Sequence, residues 1–370
     1  MRGREGPRPR GLVWTARPPS LPQPLLPASG AGSAPAPPFR VWRGNGRCDI
    51  LPAVQATNGT LSELGERPLI SRIRRQTAGG GDVVTGIGDD CAVVRLTPDA
   101  AEDLVLKSDP VICGHHFLPD ADPRLVGRKA LGRVLSDIAS MGAAPRWILV
   151  DLVAPGDTAV RDIDAAYAGM SALAREHGCA IIGGDTCRGE TLDFHVFGCG
   201  TLPRGSARLR AGARPGDALR VTGRLGGSLL SGSHLSFAPR VREGQWLRDW
   251  ANAMIDISDG LASELWHLAR ESQAALVLDP ARVPLTAAAA ATGDPLRHAL
   301  FDGEDFELLF TVPPDREPGF DSAWQAAFPE LPCTRIGEVV RAGEADVRFA
   351  DGTPLAQGGF DHFVSPVEPT

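Results

Sequence analysis

Carboxylates recur in this chain beside glycines and hydroxyls, in short turns that can bring oxygen atoms close to a ligand. Gly86-Ile87-Gly88-Asp89-Asp90 precedes the apolar run Cys91-Ala92-Val93-Val94. Ser108-Asp109 closes a second apolar run and Gly184-Asp185 a third, and Asp256-Ile257-Ser258-Asp259-Gly260 closes a fourth. Asp256 and Ser258 alternate with Ile255 and Ile257, so they share one face of a strand end, and Asp259 is placed to cap the helix that follows. Oxygen side chains beside a helix N-terminus suit a hard cation and a phosphate. Acids gathered in this number repel one another unless cations lie among them. If the turns converge, several Mg²⁺ ions bridged by a polyphosphate are the expected occupants.

The elements that must position these turns follow from hydrophobic spacing. Leu64, Leu69, Ile70 and Ile73 mark a short amphipathic helix, and Pro123 to about Met141 a long one, with a stripe from Leu125 to Ile138 and Asp137 near its end. A further helix is expected over 159–177. Strands are expected at 82–85, 92–96, 103–108, 147–153, 180–182 and 194–202. From 217 onward, strands at 217–222, 253–257, 275–278, 307–312 and 335–340 mix with helices at 260–272, 286–292 and 322–328. The absence of strict βαβ alternation points to an α+β architecture. The polar, Arg-rich stretch 203–215 divides the chain into an N-terminal domain (61–205) and a C-terminal one (206–370). Residues 1–60 carry eight Arg against one Glu and one Asp, are rich in Pro and Gly, and lack periodicity. They are expected to be disordered, either as a transit peptide or as a dispensable extension.

Composition excludes several classes. A net charge of −7 argues against a nucleic-acid binder. No apolar run reaches the roughly 18–20 residues of a membrane span. The seven cysteines are scattered without a CxxC pair, which favours reduced thiols in a cytoplasmic protein. Lys107 and Lys129 are the only lysines, and neither lies in GxxxxGK[ST], so any nucleotide is held by something other than a P-loop. No Ser/His/Asp or Cys/His arrangement competes with the acidic turns.

In this order, GIGDDCAVV, SDPVICGHHFLPDADP, KALGRVLSDIASMGA, IIGGDTCRG, RAGARPGD, IDISDGL, FDGEDFELLF and GGFDHF resemble the thiamine-monophosphate kinases of the PurM-like superfamily, over about residues 63–365. The resemblance implies a two-domain PurM-like fold: an N-terminal mixed α/β domain whose sheet joins that of a second copy in a homodimer barrel, and a C-terminal α+β sandwich. It implies transfer of the γ-phosphoryl of ATP to thiamine monophosphate with several Mg²⁺ ions. Asp90, Ser108, Asp109, Asp137, Asp185, Asp256 and Asp259 match the metal ligands. Tyr167, Gly184, Asp185, Arg210 and Ser258 match ATP contacts, and His116, Glu304 and Phe360 match thiamine-phosphate contacts. Asp259, Asp109 and Arg210 are the expected catalytic residues. Two positions depart from the pattern: Pro110 removes a backbone donor beside the site, and Lys107 stands where a hydroxyl is usual, bringing a cation that would reduce the demand for Mg²⁺. Another PurM-like enzyme, or a binding protein with weakened turnover, stays open. Selenophosphate synthesis needs a reactive Cys or Sec and a Lys in a Gly-rich N-terminal loop, and residues 61–90 contain neither.

Overall fold

The computed structural model describes residues 59–77, 80–341, 346–360 and 362–363, together with two short strands before them. Those strands, β1 (Arg40–Trp42) and β2 (Cys48–Ile50), pair antiparallel, a correction to the fully disordered reading of residues 1–60. The rest of that expectation lies outside the described residues. Next come α1 (Leu61–Leu64), α2 (Glu66–Gln76), β3 (Val83–Thr85), β4 (Ala92–Val94), β5 (Glu102–Ile112), α3 (Pro123–Ser140), β6 (Ala144–Ala154) and α4 (Val160–Glu176). The first unit closes with β7 (Ala180–Gly183), β8 (Thr186–Arg188) and β9 (Asp193–Pro203). Its sheet runs β3-β4-β5-β9-β6-β7, with β8 paired to β6.

Among the described residues, only one face of this sheet is covered. Val105 and Val111 of β5, Ile148 and Val150 of β6 and Val196 of β9 pack with Val134, Leu135 and Ile138 of α3 in one core. Each such side chain contributes roughly 1.5–3 kcal/mol on burial. α3 starts at a clear signal, Asp122 accepting from the Arg124 N–H with Pro123 in the first turn. It then packs so closely on α4 that a Cβ at Gly127 would sit 1.9 Å from the Ala166 carbonyl oxygen, and one at Gly169 2.0 Å from that of Arg124. The other face leaves Trp147, Leu149 and Ile182 exposed.

β5 is longer than expected. It pairs with β9 from Glu102↔Pro203 to Ile112↔Asp193, so Asp109 and Pro110 lie within the strand rather than in a turn after it. Strand alternation then aims Lys107 and Asp109 at α3 and turns Ser108 to the open face.

The second unit comprises β10 (Ala218–Thr222), α5 (Ser228–Ser231), α6 (Val241–Leu247), β11 (Ala253–Asp256), α7 (Leu261–Ser272), β12 (Ala275–Leu278), α8 (Ala287–Ala290), α9 (Pro295–Phe301), β13 (Leu308–Val312), α10 (Glu317–Ala327), β14 (Cys333–Val340) and β15 (Asp346–Phe349). Its sheet, β11-β13-β10-β14-β12-β15, is covered on both faces. Leu309 and Ile255 meet Leu265 and Leu268 of α7 on one side. Phe310 and Leu308 meet Phe320 and Trp324 of α10 on the other. Spacing alone did not predict α5, α6, α9, β8 or β15, although α9 carries a legible start: Asp294 accepts from the Arg297 N–H, with Pro295 following. The sheets change over between Pro203 and Ala218, inside the polar stretch expected to divide the domains. Among the described residues, no helix is long and apolar enough to cross a membrane.

Candidate active site

A cavity of about 430 Å³ opens where the two units meet, walled by the Gly86–Asp89 turn, β5, α3, the end of β11, α2 and the chain at Phe360. At its floor Asp90, Asp137 and Asp256 are buried, with one carboxylate oxygen from each lying within 4.8 Å of the others. Three elements deliver them: the GIGDD turn, the last turns of α3 and the C-terminal end of β11. Each acid has a different internal partner. Arg210 donates to Asp90 Oδ1 from Nε at 2.8 Å and Nη2 at 2.5 Å. Lys107 donates to Asp137 Oδ1 at 2.8 Å. The Ser136 hydroxyl donates to Asp256 Oδ2 at 2.6 Å. Among the described residues, Asp90 Oδ2 is buried without a hydrogen-bond partner.

These groups resist ionisation together. Burial, then the neighbouring Asp90, pushes Asp256 up to about 7. Burial, with Asp256 and Asp109 nearby, holds Asp137 well above the usual carboxylate range despite Lys107. Asp89 is raised to about 7, first by burial and then by Asp90. Its side chain braces the turn, accepting from the N–H groups of Asp90 and Arg210 at 3.0 and 3.1 Å.

Asp259 lines the cavity too, raised to about 6 by burial and then Glu66. It does not cap α7, as expected from the sequence. Gly260 is the N-cap residue, α7 has no side-chain cap, and the Asp259 N–H donates to Glu264 Oε1 at 2.8 Å while Asp259 lines the cavity. Only glycine fits at 260: φ is +108°, and a Cβ would meet the Leu300 carbonyl oxygen at 2.7 Å.

A second network lies beside the first. Arg133 donates to Asp109 Oδ2 and Oδ1 at 2.8 and 3.3 Å, and to Glu304 Oε1 at 3.2 Å. Burial would raise Asp109, but Arg133 and then Lys107 outweigh it and hold its pKa down. Lys129, fully buried, donates to the His116 carbonyl at 2.6 Å and to Glu304 Oε2 at 2.8 Å, and lies 3.0 Å from His234 Nδ1. Burial opposes the charge of Glu304, yet His234 and Lys129 bring its pKa down to about 2, so it stays ionised. Its loop is held in left-handed backbone at Glu304 (φ 55°) and Phe306 (φ 51°) by bonds from their N–H groups to the carbonyls of Ser258 and Ile257. His116 Nδ1 accepts from the Ile112 N–H at 3.1 Å. Burial, then Arg133, lowers its pKa to about 4, so the ring is neutral at pH 7.

The structure therefore gathers Asp90, Asp109, Asp137, Asp256, Asp259, Arg210, Ser258 and Phe360 around one cavity or in its floor, with Glu304 and His116 joined to it through Arg133 and Lys129. It does not bring the other expected ligands there. Ser108 is exposed on the open face of the first sheet. Gly184 and Asp185 are exposed beyond β7, where the Asp185 N–H donates to Asp151. Tyr167 packs edge-on against Phe194, at 6.4 Å between ring centroids.

The spacing argument missed Arg133 and the partnership of Lys129 with Glu304. A signal for both existed: Lys129, Arg133, Ser136, Asp137 and Ser140 form a polar stripe at helical spacing along α3. It also missed Glu66, Arg67, His267 and His362, which complete the wall.

The family model for "AIR synthase related protein, N-terminal domain" matches residues 88–202. The chain is 37% identical over 336 residues to the thiamine-monophosphate kinase of Escherichia coli K12, covering 82% of this chain and 99% of that one. Among solved structures it is similar to AaThiL complexed with AMPPCP and TMP, with a TM-score of 0.72, 32% identity, and 83% of this chain and 100% of that one covered. It is also similar to the thiamine-monophosphate kinase of Stenotrophomonas maltophilia K279a, with a TM-score of 0.64, 35% identity, and 77% and 96% covered.

Proposed function

Because this chain belongs to the thiamine-monophosphate kinase family, we propose that it transfers the γ-phosphoryl group of ATP to thiamine monophosphate, giving thiamine diphosphate and ADP. The observation that carries the chemistry is the floor of the cavity: three buried carboxylates whose oxygens lie within 4.8 Å, one of them with an orphaned oxygen. Such an all-oxygen donor set fits Mg²⁺. Asp90, Asp137 and Asp256 would hold it, with Asp109 and Asp259 on the adjoining wall. Bound there, Mg²⁺ would neutralise charge on the phosphoryl oxygens.

The chain's own residues do the rest by positioning. Arg210, held by Asp90, and Arg133, held by Asp109 and Glu304, line the cavity and present guanidinium groups to anionic phosphates. Glu304, kept ionised, pairs with the cationic and amino groups of thiamine, and Phe360, half-exposed in the wall, offers a ring to stack on it. The acceptor is itself a phosphate, so its oxygen needs no strong base.

The test is direct: purified protein with ATP, Mg²⁺ and thiamine monophosphate should release thiamine diphosphate and ADP in equal amounts, and binding without product would sink the reading. Asp259→Asn should lower kcat by about 10²–10³ with an unchanged circular-dichroism spectrum; full turnover would remove Asp259 from the mechanism.

Ser108 and Asp185 keep a role in nucleotide and metal binding if the open face of the first sheet is shared with a second copy, whereas Tyr167, packed on Phe194 in the core of the covered face, is left out of that arrangement. Trp147, Leu149 and Ile182 there form an apolar surface suited to closing a dimer barrel. Sedimentation should give a dimer for the native chain and a monomer for Leu149→Glu; a native monomer would refute this arrangement.

A further inference from the structure

The acidic floor already contains a cation of its own. Lys107 rises from the covered face of β5, and its ammonium reaches Asp137 Oδ1 at 2.8 Å. It is drawn to Asp137 and Asp109 together. The other cations nearby are committed elsewhere: Arg210 is bound to Asp90, and Arg133 bridges Asp109 and Glu304. Among the described residues, the hydrogen-bond partner of Asp256 is the Ser136 hydroxyl. Of the three gathered carboxylates, Asp137 is thus the one that meets a compact ammonium, the kind of group that can stand in for a metal ion at an oxygen. Because Lys107 is covalently part of β5, it cannot leave when a metal arrives. A divalent ion must either share Asp137 with it or push it aside.

We propose that Lys107 is a built-in counter-cation of the acidic cluster, which weakens divalent-ion binding to the nucleotide-free enzyme so that metal is loaded together with the polyphosphate. The anionic phosphates add the negative charge that tips the balance toward the metal, and Lys107 makes the empty site tolerable in their absence. This deepens the kinase reading and rests on it. It concerns when the ions bind, whereas turnover by the native enzyme tests whether the reading itself holds.

The experiment is a Mn²⁺ titration of nucleotide-free protein, following free Mn²⁺ by its electron paramagnetic resonance signal. Lys107→Met removes the charge but keeps the aliphatic stem, and should bind Mn²⁺ about tenfold tighter or more than the native chain. Lys107→Arg keeps the charge and should follow the native isotherm. Melting temperatures give a second readout, with Mn²⁺ raising that of Lys107→Met more than that of the native protein. A Met variant that folds only with Mn²⁺ present counts for the proposal, and one that Mn²⁺ does not rescue counts against it. Coincident isotherms for the native and Met proteins, or equal tightening by Arg, would overturn it.

Discussion

Asp256→Asn should lower turnover by about 10³-fold or more while making the metal-free protein at least as stable as the native one. The two effects have one cause. Asp256 is buried at the meeting point of three carboxylates, and the geometry that suits a cation is costly without one. Its pKa of about 7 stands against 3.8 for an ordinary aspartate. Between those values the folded chain holds a proton that the unfolded chain has released. Raising the pH through that window therefore costs stability, and the loss is complete above the folded value. Asp89 (about 7) and Asp259 (about 6) act in the same sense. Melts in the presence of a chelator at about pH 5 and about pH 8 should show the native protein losing more stability than Asp256→Asn. The asparagine keeps a group able to accept from the Ser136 hydroxyl, so the fold has no reason to collapse. Undiminished turnover, or a variant that melts well below the native protein at about pH 8, would contradict this account.

Lys129→Met should destabilise the protein by about 3 kcal/mol, at the lower end of the cost of breaking a buried ion pair. Burial holds the pKa of Lys129 below that of an ordinary lysine, and Glu304 keeps it charged. Without the ammonium, the His116 carbonyl loses its donor at 2.6 Å and Glu304 loses its shortest salt bridge, at 2.7 Å. Arg133 still reaches Glu304 at 3.2 Å, which is why the loss should not be larger. Urea denaturation with an unchanged m-value is the measurement. A loss below about 1 kcal/mol would mean that the strained loop around Glu304 is held by its backbone bonds to Ser258 and Ile257 alone.

Much of the site was readable before any coordinates, because its carboxylates sit in local motifs. Asp89-Asp90 follows two glycines, and Asp256, Ser258 and Asp259 occupy a strand end and the turn after it. These patterns depend on neighbours a few residues apart, as does the apolar stripe that placed α3. The errors arose where the answer depended on a distant partner. Ser108 and Asp109 read as one turn. Pairing with β9 across the whole of β5 made them a strand, and alternation then sent their side chains to opposite faces.

Composition, spacing and motif order thus determined the element types, the acidic turns and the phosphate chemistry they suit. Tertiary structure decided which charge answers which. Lys129 meets Glu304 across 175 residues, Ser136 meets Asp256 across 120, and Arg210 meets Asp90 across 120. Periodicity reports only the face a residue occupies on its own element, whereas these pairings depend on how the two units pack together, with α3 supplying Lys129 and Ser136. The GIGDD turn shows both at once: the motif match singles out Asp90 as the ligand and leaves Asp89 to brace the turn, and packing supplies the partners, the N–H groups of Asp90 and Arg210 for Asp89 and a buried setting with an oxygen to spare for Asp90.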